Sequence, residues 1–145
     1  MSVVVQSSYT ANQAVGLPGQ PADMIRYDAV SRRVEDATLA YGVAVIQGTA
    51  ADQVKVGAAG NFIGITVKDI TLTPEVDNYV QTETAAVMIR GSMWVTVSGN
   101  VTAGAAVYRT ATGTLNATSA ENTLVANAIW ETTASSGALA RIRLA

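Results

Sequence analysis

Residues 84–102 read TAAVMIRGSMWVTVSGNVT, and the fold class turns on this stretch. Ala86-Val87-Met88-Ile89-Arg90 runs into Gly91-Ser92, Met93-Trp94-Val95-Thr96-Val97 follows, and Ser98-Gly99-Asn100 ends the run. Successive side chains of an extended strand point to opposite faces. Met93, Val95 and Val97 therefore share one face, and Trp94 and Thr96 the other. β-Branched and aromatic residues dominate, and glycine stands beside Ser or Asn at each break. The stretch reads as strand, turn and strand, with an antiparallel β core built around it.

Working outward, the same punctuation recurs. Residues 41–47 form a short apolar run closed by Gly48. Gln53-Val54-Lys55-Val56 alternates with Val54 and Val56 inward, and Phe62-Ile63-Gly64-Ile65-Thr66-Val67 follows a Gly-rich turn. Gly42 and Gly64 lie inside strand-like runs, which marks a bulge or a close backbone approach. Toward the C-terminus come residues 105–109, a weak strand near Leu115, residues 127–132, and a closing run in which Leu139, Arg141 and Arg143 alternate with Ala140, Ile142 and Leu144. One face of that last strand can be wet. Short strands spaced by Gly-rich turns mark a meander or sandwich. Helical periodicity is not sustained anywhere, so the expectation is an all-β chain.

The chain has 145 residues, which suits one domain that buries about 68–70% of its unfolded surface without metals or disulfides. Half the residues are hydrophobic (49%), mostly small, and only 14% are charged, against roughly 25% in ordinary soluble domains. That scarcity suggests surface covered by partners or by further copies; a neutral Ser/Thr/Asn surface is the plainer alternative. Net charge is −2, so the basic face that nucleic acid requires is not expected. Neither a leader nor a membrane-spanning segment is expected.

Residues 1–24 read as an extended N-terminal arm and residues 25–145 as a single β domain. Pro18 and Pro21 hold the backbone extended and remove ladder donors. Val3, Val4, Val5 and Tyr9 would be costly to leave in water, so these residues, with Leu17, are candidate contacts to a neighbour; a frayed terminus is the competing reading. Arg26, Arg32 and Arg33 sit in the most charged segment and could pair with a partner's carboxylates, although such a run is commonly a solvated face. Residues 69–83 form a polar excursion in which Pro74 argues against a central strand. Pro74 and Tyr79 are candidate contacts there, because long loops of compact domains often meet partners.

Catalytic chemistry has little to work with. The sequence contains no His and no Cys, which removes the commonest general base, the commonest metal ligand and thiol chemistry. Asp69, Glu75, Asp77 and Glu83 share one region but match no calcium-loop spacing, and a solvated acidic loop explains them better. The Gly57-Ala58-Ala59-Gly60 run lacks the Lys-Ser/Thr of a phosphate loop. Trp94 and Trp130 could stack on a sugar, but each sits in a strand that also carries core residues. No catalytic residue, cofactor site or metal site is expected, and the chain reads as non-enzymatic.

The order of elements nevertheless resembles a known family. Residues 41–45 follow Arg33-Val34-Glu35-Asp36; then come residues 62–67, the strand RGSMWVTV at 90–97, and VTAGAAVY at 101–108. Together they are similar to the structural cement, or capsid decoration, proteins of tailed bacteriophages, over roughly residues 16–144. The resemblance implies an antiparallel β-sandwich or jelly-roll-like barrel on the outer surface of a virion head. It also implies the major capsid protein as partner and self-association, with a trimer ahead of a dimer. Another virion component, in the tail or head-completion machinery, and a carbohydrate-binding module are the alternatives to test.

Overall fold

The computed structural model describes residues 16–22, 27–69 and 78–145. They form eleven strands and no helix: β1 (Asp28–Val34), β2 (Thr38–Ala40), β3 (Ala44–Gln47), β4 (Gln53–Lys55), β5 (Phe62–Thr66), β6 (Asn78–Val80), β7 (Thr84–Thr96), β8 (Ala106–Arg109), β9 (Leu115–Asn116), β10 (Thr123–Trp130) and β11 (Leu139–Leu144). The expectation of an all-β chain is met, and its form is a barrel-like sheet. Nine strands run in the order β1-β4-β3-β5-β7-β11-β10-β8-β9, and β1 also pairs with β7, closing the first five into a ring. Val97, just beyond β7, makes a parallel bridge to Leu115 of β9 and so returns the second run of strands to β7. Closure leaves few edges on which another chain could grow a sheet. The pairs between named strands are antiparallel apart from β1 with β4.

β7 is the element both halves share. Residues 84–90 pair with β1 and residues 87–88 with β5, whereas residues 91–96 pair with β11. The turn expected at Gly91-Ser92 is instead a bend inside one continuous 13-residue strand. A register shift explains how the strand serves two cores. Asp28 faces Arg90 and Ala29 faces Met88, so Ile89 is the extra residue of a β-bulge. Gly91, with φ at +127°, completes the bend. A side chain there would strain the backbone, and its Cβ would press into Tyr27.

Two apolar clusters result. One gathers Val34, Leu39, Tyr41, Val45, Val54, Tyr79, Ala85 and Val87. The other gathers Ile65, Met88, Met93, Val95, Val97, Val107, Leu115, Trp130 and Ile142, with their neighbours. As the alternation predicts, Met93, Val95 and Val97 are buried, while Trp94 is half-buried and Thr96 is exposed. β11 keeps its expected pattern, with Ala140, Ile142 and Leu144 inside. Val54 is buried as expected, and Val56 only partly. At Gly64 the expected close approach is present: a methyl group would land on the Met88 carbonyl oxygen across the β5–β7 pair.

A small second sheet, β2 with β6, sets Leu39 opposite Tyr79. The Tyr79 ring meets Tyr41 edge-on at 5.0 Å, and its hydroxyl donates to the Val67 carbonyl at 2.5 Å. Residues 16–22, placed in the arm by the sequence, pack against the β domain. Gly19 donates to the Trp94 carbonyl, Trp94 donates back to Gln20, and Ala22 donates to Ser92.

Candidate interaction surface

The sequence-predicted contact residues do not converge. Leu17 is half-exposed and lines an apolar groove of about 460 Å³ with Pro18, Tyr41, Val43 and Val97. Arg32 and Arg33 lie on β1, where Arg33 faces Thr84, so they sit near the opposite end of β7 from Leu17. Arg33 makes an exposed ion pair with Asp52 at 3.4 Å. Tyr79 needs correction as a partner contact. It is 3% exposed, and the pairing of β6 with β2 turns its ring inward. Val3, Val4, Val5, Tyr9, Arg26 and Pro74 lie outside the described residues, as do Glu75 and Asp77.

The tryptophans are not an open stacking platform. Trp130 is fully buried, and its indole Nε1 donates to the Asn116 carbonyl at 3.2 Å. Trp94 is half-buried and lies beneath Gly16. A flat sugar face has no access to Trp130.

What the fold does assemble is a cationic cleft of about 670 Å³ where β7, β10 and β11 meet. Arg90 and Ser92 come from β7, Ile129 and Trp130 from the end of β10, Glu131 from the next position, and Arg141, Arg143 and Leu144 from β11. The register explains the gathering. Arg143 faces Ser92, Leu144 faces Gly91, and Ile129 faces Arg143. Glu131 holds the floor. Its carboxylate pairs with Nε of Arg141 and, at 3.6 Å, with Nε of Arg143, and Ser92 Oγ lies 3.3 Å from its Oε1. Backbone bonds pin the pair further: Glu131 N–H donates to the Arg141 carbonyl, and Arg141 N–H donates to Thr132 Oγ1. Arg90 reaches Asp28 at 3.8 Å between half-exposed groups, a contact that contributes little. Tyr27, more than 40% exposed, packs against Gly91 at the edge of this cleft.

Sequence reasoning placed Arg141 and Arg143 on the wet face of their strand but did not connect them with Arg90 and Glu131. Those residues are far apart in the chain, and only the order β7-β11-β10 joins them. The available signal was two arginines on one strand face, in a chain with nine cations altogether.

Comparison with known proteins speaks to the fold and the family. Among solved structures, the chain is similar to one titled "The capsid of Myoviridae Phage XM1", with a TM-score of 0.79, 14% identity and 98% of each chain covered. It is also similar to the head fibre gp8.5 N base of bacteriophage phi29, with a TM-score of 0.51, 11% identity, and 83% of this chain and 95% of that one covered. At these identities the likeness is one of fold. No curated protein matches the chain. The family model described as structural cement protein (E217 gp24/Pam3 gp6) matches residues 5–145. The chain belongs to the phage structural cement protein family.

Proposed function

We propose that this protein cements a phage capsid from the outside by binding major capsid subunits and clamping neighbours to one another. The observation that carries this reading is the family match across residues 5–145. The fold is consistent with it: a closed β scaffold with few charges, and with exposed apolar and arginine residues on its surface. A head packed with DNA pushes outward. Many modest contacts, repeated around each capsomer junction, multiply into avidity that no single contact supplies. The role is structural and asks for no catalysis.

The assembly proposed is a homo-oligomer, a trimer ahead of a dimer, which lets one particle touch several shell subunits. In this reading the N-terminal arm, residues 1–24, reaches a neighbour, and the excursion at 69–83, apart from the buried Tyr79, adds a second contact. Copy number in the virion tests the reading. A cementing protein is present in hundreds of copies, whereas a tail or head-completion part is present in a few or in one ring. A low copy number would overturn the cement role and leave the fold standing.

A further inference from the structure

We infer that the cleft between Arg90, Arg141 and Arg143 is the seat for a carboxylate-bearing extended segment of the shell protein; the inference rests on the cement reading. Three of the chain's nine cations line this one cleft, in a protein whose net charge is −2. Among the described residues that line it, the one carboxylate is Glu131, whose side chain is 14% exposed. Among the described residues, three cations stand against two carboxylates even when Asp28 is counted beside Arg90.

Glu131 acts as a positioning residue. It holds the Arg141 guanidinium through Nε and, at 3.6 Å, draws Arg143 toward the same edge, so Arg141 is ordered before any partner arrives. Planar, fixed guanidinium groups favour two-pronged binding of a carboxylate, and prior ordering lowers the entropic cost of association. Arg143 and Arg90, with side chains 57% and 50% exposed, are the groups that meet the incoming acid. Tyr27, exposed and packed against Gly91 at the cleft edge, provides a neighbouring apolar contact, and tyrosine beside arginine is the composition typical of interface centres.

The same charge argues against a two-fold contact between copies here. A two-fold pair built on this face would set arginines against arginines, because such a contact brings the same patch together from both copies. An acidic segment of a different chain satisfies the cleft.

The test is binding of the full-length chain to empty expanded heads of its own phage, at low and at raised salt, for wild type, R143Q, R90E and the double variant R90E/R143E. Circular dichroism and the thermal melt accompany each variant, and solution mass is measured for each. The prediction is a wild-type affinity that falls as salt rises, a loss of about tenfold for each charge reversal, and a smaller loss for R143Q, with the melt and the solution mass unchanged. Folded variants that bind heads as wild type does would overturn the cleft assignment while the cement reading stands. A variant whose solution mass falls would overturn it as well, by making the face a contact between copies. A wild-type chain that ignores the heads would overturn both.

Discussion

Met88 and Met93 face the same core although they stand five positions apart along one strand. Strict alternation would send them to opposite faces. The bulge at Ile89 and the bend at Gly91 restore the parity, and this lets β7 belong to two rings of strands.

The bend has a measurable cost if altered. Gly91→Ala puts a Cβ at 2.5 Å from Tyr27 Cβ at a φ of +127°, whereas Gly104→Ala, at a φ of +90°, meets nothing within 4 Å. Both variants carry backbone strain of about 1 kcal/mol or more; Gly91→Ala adds overpacking, for a total of about 3 kcal/mol. Denaturant unfolding of the two variants is the check. Equal losses would mean that Tyr27 moves aside freely.

Tyr79 gives the chain an alkaline limit. Burial pushes its hydroxyl up to about 12, and the nearby Tyr41, Asp69 and Glu83 push the same way against hydrogen bonding to the backbone. An unfolded tyrosine ionises near 10, so between about pH 10 and 12 the unfolded chain releases a proton that the folded chain keeps. This contribution to stability is whole below about pH 10 and declines as pH rises toward 12. Tyr79→Phe removes this part of the decline and loses the bond to Val67, at a cost of about 1 kcal/mol near neutrality. Melts over a pH series, with and without the substitution, should diverge only through that difference; parallel alkaline limbs would contradict it.

Much of this fold was legible because alternation is a local property. The runs at 93–97 and 139–144 reveal their faces from their own residues. The close approach at Gly64 was legible for a similar reason, since a glycine among Ile and Phe needs an explanation. Gly91-Ser92 misled because a bulge and a turn share their chemistry and both break a period of two. Tyr79 misled because its partner strand lies far back in the sequence, so its burial depends on a pairing that no local pattern announces. The arginine cleft was illegible for the same reason, being a property of strand order.

Arg109 clamps the turn after β4. Its side chain is buried and donates from Nη1 to the Gly57 carbonyl at 2.8 Å and from Nη2 to the Gly60 carbonyl at 3.2 Å. Lysine has one ammonium group and no rigid fork, so Arg109→Lys leaves one carbonyl poorly served. The expected loss is about 2 kcal/mol, and Arg109→Met should lose more. Hydrogen exchange at residues 57–61 should quicken in both. Unchanged exchange would mean that the turn holds itself.

Removing residues 1–15 tests the proposed arm. Among the described residues, the backbone bonds that tie residues 16–22 to β7 involve Gly19, Gln20 and Ala22, which the deletion retains. The shortened chain should keep its melting temperature and bind heads more weakly. Full binding by the shortened chain would remove the arm from the account.

The central claim is met most directly by measuring the mass of the purified protein in solution, alone and mixed with empty expanded heads of its own phage. The account predicts a stable oligomer, a trimer ahead of a dimer, that co-sediments with heads in hundreds of copies. A monomer that stays in the supernatant, or one bound in only a few copies, would contradict it.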